Sequence, residues 1–451
     1  MFTHTDSFVR RTVALLLTVA GPLLAQGTQA PVELSLGQAA ARAREQSLPY
    51  LASVVRAEQV EARINQRRAD LLPSVTGFTE SNSRTFNSAT LGIKFPTVPG
   101  QAPFFDPNGE VLGPVPTSDI RARLQANIYD GAALARLRVA RSQGAASRTE
   151  ASQAGAAAAT QAAIAYVRVL RAEAVFEARS ADSTLAADLL RIARETLRAG
   201  TGVALDVTRA ESQLVGIRSQ LITARVERDK ARLELRRSIN VDLNQPITLV
   251  DPLDGGEVLI PSEAEALAVA AKLRPEVVVI NAQLASAQLS SRAIHAERLP
   301  TLSAVADEGI VGKDYSRMLN TWTWALRVSV PVFEGGRRSA REREQSLVER
   351  ELETRRSDLL AQISVDVRSA LLDAASATEA VAASRERLRL AEQEVAQSRD
   401  RFTAGVSGNL DVTSALLGLS GARTQLVDAL ASRQLARISI ARSQGSITSL
   451  R

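Results

Sequence analysis

The sequence predicts a mainly α-helical protein with a small β part, built from two copies of one structural unit. The segment RAGTGVALDVT at Arg198–Thr208 returns as TAGVSGNLDVT at Thr403–Thr413, an offset of 205 residues. Each copy ends one long Ala- and Arg-rich helical run and begins another. A Gly just beyond the last periodic residue is a helix C-terminal signal. The organising unit is therefore a helical hairpin, and two stretches with period two add the strands.

Composition favours long, closely packed helices over a thick globular core. Of the 451 residues, 45% are hydrophobic but only 4% are aromatic, so Ala supplies much of the apolar content. The net charge of +6 is spread over alternating Arg and Glu, which is typical of solvated helix faces and not of a nucleic-acid surface. The absence of Cys excludes disulfides, thiolate metal sites and an N-terminal lipid-modified Cys.

Residues 1–30 are predicted to be a secretory signal peptide. Arg10 and Arg11 precede an apolar run at Val13–Leu24, and small residues follow it. The run is shorter than the roughly 20 residues that a membrane-spanning helix needs. We therefore expect the mature chain to be exported.

Two structural repeats follow, at 31–261 and 262–451. Ser35 and Ser262 are each placed to cap a short helix, and Pro49 and Pro275 each precede a longer one. In the first repeat we then expect a β-hairpin at 74–129, a long helix at 132–198, a helix at 205–240 and a linker at 241–261. In the second repeat we expect a helix at 276–298, a β-hairpin at 301–333, a long helix at 336–403 and a helix at 410–445.

The strands have one apolar and one polar face. From Ile120 to Tyr129 apolar and polar residues alternate, and the apolar positions of the second hairpin are Trp322, Trp324, Leu326, Val328, Val330 and Val332. Such alternation ordinarily indicates half-buried strands of a soluble sheet. Here the rest of the chain is helical hairpin with its own seam, so lipid is the remaining environment for the apolar face. Strands of about ten residues suit a transmembrane barrel.

Strand number then requires an oligomer. Four strands cannot close a barrel, because about eight are needed and open edges cannot remain in hydrocarbon. Several chains must each contribute four strands. The Pro- and Gly-rich loop at 86–118 is expected to be extracellular and mobile.

The long helices carry coiled-coil seams with steps of three and four. A helix of roughly 67 residues would be about 100 Å long, far beyond a globular helix. The predicted seam of the first is Ile164, Val167, Leu170, Ala174, Ala178, Ala181, Leu185, Leu189 and Ile192. That of the second is Ile363, Val367, Ala370, Ala374, Ala377, Val381, Leu388, Ala391, Val395 and Phe402.

The chain resembles the bacterial outer membrane efflux proteins, the trimeric TolC-like channel-tunnels of tripartite pumps and type I secretion. The resemblance rests on the duplicated order of elements, the Leu-Asp-Val segments after the Gly turns, the Leu-Pro entries to the strands and Phe333-Glu-Gly-Gly336. It implies a homotrimer with a periplasmic α-barrel and a twelve-stranded β-barrel in the outer membrane. It also implies a passive conduit docked to a periplasmic adaptor (membrane fusion) protein and an inner-membrane transporter.

The resemblance also assigns candidate site residues. The turns that would meet the adaptor are Ala199, Gly200, Thr201 and Gly202 in the first repeat and Ala404, Gly405, Val406 and Ser407 in the second. Asp411 resembles the family's acidic ring at the periplasmic aperture, and Asp206 is its counterpart in the first repeat. Ser414 stands where some members carry a further acidic residue. For Asp206, a first-turn carboxylate stabilised by the helix dipole, by about 0.3–1 kcal/mol, is an equal alternative, whereas for Asp411 the aperture role is preferred.

Other chemistry has little support in the sequence. His295 is the only mature histidine and lacks metal-binding partners, and Met318 offers no thioether relay. Tyr166 and Phe176 are interpreted as packing residues. We predict no catalytic constellation, no cofactor, no metal and no nucleic-acid partner. Two alternatives stay open, an exported coiled-coil scaffold or adaptor without a pore, and an enzyme anchored by its strands. Within the family, substrate choice is expected to lie mostly in the pump.

Overall fold

The computed structural model describes residues 32–91, 100, 106, 108–255, 259–404 and 406–449. The predicted signal peptide, Gly405 and much of the first hairpin's loop lie outside the described residues. The elements, in order, are β1 (Val32–Leu34), α1 (Leu36–Gln46), α2 (Leu48–Ala69), β2 (Ser74–Asn87), β3 (Val111–Asp130), α3 (Gly131–Arg198), α4 (Ala204–Ser238), β4 (Ile247–Leu249), α5 (Glu263–Leu273), α6 (Pro275–Ala296), β5 (Thr301–Gly312), β6 (Met318–Ser329), α7 (Arg337–Thr403) and α8 (Asn409–Gln444). Helix dominates and the sheet part is small, as the fold class predicted.

Local sequence explains where the helices begin. The Ser35 hydroxyl accepts a hydrogen bond from the Gln38 N–H, and the Gln38 side chain accepts one from the Ser35 N–H, which is a complete capping box. At α5 only half of the expected capping box forms: the Ser262 hydroxyl accepts from the Glu265 N–H at 3.3 Å. The Asp130 carboxylate accepts from the Ala133 N–H at 2.8 Å, so the last residue of β3 starts α3.

The long helices pack as antiparallel pairs, α3 with α4 and α7 with α8, and α3 also lies along α8. Every predicted seam position of α7 is buried or half-buried. In α3 the prediction was wrong at Ala181, which is exposed, while the neighbouring Asp182 is buried. Asp182 is held by Arg423 at 2.7 Å and Arg179 at 3.3 Å, so two cations compensate for burying a carboxylate in the seam.

The linker between the repeats wraps the middle of the bundle. Its β4 pairs in parallel with β1, and both pack beside Tyr166 near the midpoint of α3. The buried Tyr166 hydroxyl donates to the Leu34 carbonyl at 2.9 Å and accepts from the Asp251 N–H at 3.3 Å. Farther along the linker, Asp254 pairs with Arg385 of α7 and Arg433 of α8. The linker therefore connects α3, α7 and α8 to the N-terminal strand β1.

The four longer strands form one antiparallel sheet in the order β2-β3-β5-β6. Among the described strands, β2 and β6 each pair on one side only. We call the face that carries Trp322, Trp324, Leu326 and Val328 the Trp face. The opposite face carries Arg121, Arg123, Asp307 and Thr321 and is called the Arg face, since directly opposed residues of antiparallel strands share a face.

Two expectations about the first hairpin were wrong. Strands β2 and β3 pair as far as Asn87 and Val111, so part of the expected loop at 86–118 is strand. The Pro-rich segment of β3 lacks a period-two signal, but its backbone pairs with β2. In addition, a β-bulge between Asn127 and Tyr129 puts Tyr129 opposite Leu302, on the Trp face and not on the polar face.

In the part of the chain that the structure describes, no helix has both the length and the apolar character required to cross a membrane.

Candidate functional site

The first helix-turn tip is closed by hydrogen bonds to the end of α3. The N–H groups of Thr201 and Gly202 both donate to the Thr196 carbonyl, at 3.1 and 3.0 Å. Gly200 has a φ of +75°, a left-handed conformation that L side chains rarely adopt, so glycine is required at this position. The turn residues of this tip are exposed except for the half-buried Gly202.

The second tip repeats this arrangement where it is described. The Ala404 N–H donates to the Asp400 carbonyl and the Val406 N–H to the Arg401 carbonyl, both at 3.0 Å. Ala404 and Val406 are exposed and Ser407 is half-buried, whereas Gly405 lies outside the described residues. Both tips thus present short exposed turns at the far end of the long helices from the sheet.

Asn409 joins the two tips. Its side chain is buried, and its Nδ2 donates to the backbone carbonyl of Asp206 at 2.9 Å. Its own carbonyl accepts from the Thr413 hydroxyl at 2.9 Å. The corresponding position of the first repeat is Ala204, so only the second repeat supplies this amide. Sequence reasoning missed Asn409, although the difference between the two otherwise matching segments was visible.

The two candidate aperture carboxylates lie in the first turns of neighbouring helices. Asp411 on α8 is exposed and Asp206 on α4 is half-buried. Neither forms an ion pair with any described residue. The Asn409 bond to the Asp206 backbone brings the two first turns together. Each carboxylate lies in the first turn of its helix, where the helix dipole favours a negative charge.

Above the tips, α3 is packed on two sides. Leu189 belongs to an apolar cluster with Val395 of α7 and Val412 of α8, whereas the adjacent Leu190 packs with Leu214 of α4. One helix therefore connects the pair α7 and α8 to α4. Movement of α7 and α8 away from α3 and α4 would have to break the Leu189 cluster and the Asn409 bond to α4 together.

On the Arg face, Arg121 bridges three strands. Its guanidinium contacts Asp307 of β5 at 2.7 Å, Asp119 of β3 at 3.2 Å and the Thr321 hydroxyl of β6 at 3.0 Å. Gly309 lies directly between Arg121 and Thr321 in the register, and its missing side chain leaves the space that the arginine crosses. A methyl group there would lie 2.7 Å from the Arg121 Cα.

The Trp face is uncovered. Trp322, Trp324, Leu326 and Val328 are 62% to 68% exposed. Val330 and Val332 were expected in the same strand, but they follow the end of β6 at Ser329, and they are 56% and 92% exposed. Such a continuous apolar surface marks an interaction site in a folded protein.

No group of three or more metal-binding side chains occurs among the residues searched, which are those that the structure describes. His295 is on the helical surface, with its Nδ1 3.1 Å from Glu342. Tyr166 is a buried packing residue, and Phe176 packs beneath the Arg228 guanidinium at 4.5 Å.

Residues 266–446 match the family described as outer membrane efflux protein. The fold is similar to that of the CmeC outer membrane channel of Campylobacter jejuni, with a TM-score of 0.73 and 15% identity over 91% of this chain and 85% of that one. VceC of Vibrio cholerae gives 0.70 and 15% over 91% and 96%. The open-state MtrE channel of Neisseria gonorrhoeae gives 0.69 and 20% over 91% and 88%. No curated protein matches the chain.

Proposed function

We propose that this chain is the outer-membrane channel-tunnel of a tripartite efflux pump or type I secretion system. The proposal starts from the match of residues 266–446 to the outer membrane efflux protein family. Three copies would form a passive conduit from the periplasm to the exterior. A periplasmic adaptor and an inner-membrane transporter would select and drive the substrate. The resemblance to a TolC-like fold supports this architecture.

The incomplete sheet carries the proposal. It has two edge strands, β2 and β6, and one uncovered apolar face. Unpaired strand edges cannot remain in hydrocarbon, and four strands are too few to close on themselves. Three chains provide twelve strands, with β6 of one chain pairing β2 of the next. The Trp face then meets lipid and the Arg face lines the lumen.

The long helices would continue the conduit into the periplasm. Helix α3 has 68 residues, which corresponds to about 100 Å. At its far end, Asp411 and Asp206 would form the aperture, and three copies of each would favour cations. The exposed turns at Ala199–Gly202 and Ala404–Ser407 would receive the adaptor.

The test is single-channel recording in a planar lipid bilayer, with protein extracted from outer membranes and checked for trimer mass. Small, steady, cation-preferring currents are expected from a tunnel that is narrow at its tips. Protein that is monomeric and soluble without detergent, and gives no current, would favour the alternative of an exported coiled-coil scaffold without a pore.

A matched pair of variants links the current to the sheet. Leu326→Arg places a cation on the Trp face and is expected to prevent membrane insertion. Ala325→Arg places the same cation one residue away on the Arg face, where water would solvate it, and is expected to preserve insertion. Equal behaviour of the two variants would contradict the assignment of the faces.

A further inference from the structure

Apart from Tyr129 at the helix end, the polar residues of the Trp face lie toward the β5–β6 turn. The register divides this face into rows of opposed residues, two positions apart along each strand. One row contains Asn320, Ile310, Ile120 and Thr79, and the next contains Trp322, Glu308, Ala122 and Gly77. The following row, Trp324, Ala306, Leu124 and Val75, is wholly apolar. Polarity therefore changes between two adjacent rows.

Glu308 marks the change. It is exposed, and the Asn320 side chain donates to its carboxylate at 3.4 Å. On the Trp face of the described strands, no carboxylate or cation lies beyond Glu308 in the direction of the helices. A carboxylate facing lipid is tolerated near the interface and becomes unfavourable toward the bilayer centre. Glu308 must therefore lie near a boundary of the hydrocarbon layer.

The length of the apolar surface agrees with this position. Ten residue steps separate Trp322 from the highly exposed Val332, the last three of them beyond the end of β6 at Ser329. With the chain extended over this whole length they would span about 34 Å, or about 26 Å across a membrane at a strand tilt near 40°. That height equals the roughly 25 Å apolar band of an outer-membrane barrel. The charged residues Glu334 and Arg337 follow soon after. If the sheet sat so that these residues entered the hydrocarbon layer, their charges would be buried, and if it sat the other way, Val330 and Val332 would be exposed to water.

We propose that the outer boundary of the hydrocarbon layer lies at the row of Glu308 and Trp322. Trp324 then faces acyl chains, and Trp322 lies against the glycerol and phosphate groups of the lipids. The rows above, and the turn that carries Lys313 and Arg317, contact lipid headgroups. This assignment rests on the proposed function and adds to it the depth at which the sheet is embedded.

The two tryptophans are the only ones in the chain, so their fluorescence reports this depth directly. Trp324→Phe leaves Trp322 alone and Trp322→Phe leaves Trp324 alone. Each trimer would be reconstituted in phosphatidylcholine vesicles brominated at successive acyl positions. Trp322 is expected to be quenched most by the shallowest bromines. Trp324 should be quenched most by bromines about 5 Å deeper and should emit at shorter wavelength.

Substitution of Glu308 tests its role in setting the boundary. Glu308→Leu extends the apolar band by one row, so the quenching profile of Trp322 should shift toward that of Trp324. Glu308→Gln should shift it less. Thr323→Leu, next to Trp322 but on the Arg face, is the matched control and should leave the profile unchanged.

The outcomes separate the depth assignment from the channel itself. If bromolipids quench both residues and Trp322 is as deep as Trp324 or deeper, the proposed boundary is wrong. The proposal of a membrane channel would still stand in that case. Absence of bromolipid quenching for both, in a correctly assembled protein, would overturn the proposed function together with the boundary.

Discussion

The side-chain amide of Asn409 donates to the backbone carbonyl of Asp206 at 2.9 Å, which connects the first turn of α8 to that of α4. The two residues belong to different repeats. Asp206 is itself a candidate aperture residue, and Asn409 lies two positions before the other one, Asp411. Because Asn409 is 2% exposed, its bond is shielded from water. This contact holds the two tips of one chain together.

Loss of the Asn409 side chain should favour opening. Asn409→Ala removes a buried hydrogen bond, which costs about 1–3 kcal/mol, and about 1.4 kcal/mol changes a two-state ratio tenfold. We expect the open probability in single-channel recordings to rise by roughly tenfold. Ser414→Ala, an exposed position on the same helix, is the control. Identical gating of the two variants would mean that the bond does not restrain the tips.

Asp411 should control cation passage. Asp411→Ala removes three carboxylates from the trimer's aperture, so conductance should rise or block by divalent cations should weaken. Asp206→Ala is the comparison, and a smaller effect is expected because Asp206 is half-buried. Currents that keep both their size and their divalent block in Asp411→Ala would leave only the helix-dipole role for this residue.

Gly309 should be required for assembly of the sheet. In Gly309→Ala the new methyl group meets the backbone of Ile120 and Arg121, and overpacking of this kind costs about 1–3 kcal/mol. We expect a lower yield of folded trimer and a lower temperature of trimer dissociation, measured by gel electrophoresis after heating. Gly77→Ala on β2, where nothing lies within 4 Å of the added methyl group, should behave like the native protein. Equal losses in both variants would point to glycine flexibility and away from the clash.

Tyr166 should make stability depend on alkaline pH. Burial raises the pKa of its hydroxyl above the ordinary value near 10, although the Asp251 backbone hydrogen bond acts in the opposite sense. Above about pH 10 the unfolded chain releases a proton that the folded chain keeps, so this stabilising contribution is complete below that pH and is lost as the pH rises toward the folded pKa.

Chemical denaturation between pH 8 and pH 11 measures this effect. Tyr166→Phe should lose about 1–3 kcal/mol at neutral pH through the broken bonds to Leu34 and Asp251, and its stability should fall less at high pH than that of the native chain. Tyr315→Phe, an exposed tyrosine, should retain the native pH profile. A native-like alkaline decline in Tyr166→Phe would assign the effect to other groups.

The fold class was predictable because its signals are local and repeated. Period-two alternation around Trp322–Val332 and Ile120–Ile128, and the Gly200 turn, each follow from a few neighbouring residues. The β1–β4 pair was missed because three-residue strands carry no periodic signal. The bulge at Tyr129 was missed because the apolar and polar residues of the sequence alternate without interruption there, so no residue stands out as inserted.

Much of the candidate site depends on contacts between distant segments. The predicted seam omits Asp182 because a carboxylate is ordinarily exposed. Arg423, 241 residues away in the chain, pairs with it and compensates for its burial. The Asn409 bond and the path of Arg121 over Gly309 likewise depend on which backbones meet. The candidate turns and aperture carboxylates came from the family resemblance, and their roles stay predictions.

The central claim is that three chains close a barrel by pairing β2 of one with β6 of the next. The chain has no cysteine, so any disulfide that forms must join two engineered cysteines. Thr79→Cys on β2 would be combined in turn with a Cys at 320, 322, 324 or 326 on β6, and oxidised in isolated outer membranes. A disulfide requires Cα atoms within about 7 Å.

One register should give a covalent trimer as the largest product on a denaturing gel. Thr79→Cys combined with Ala304→Cys, on the interior strand β5, should remain monomeric. Failure of every register to cross-link, or a ladder of products beyond three chains, would contradict closure of the barrel by three copies.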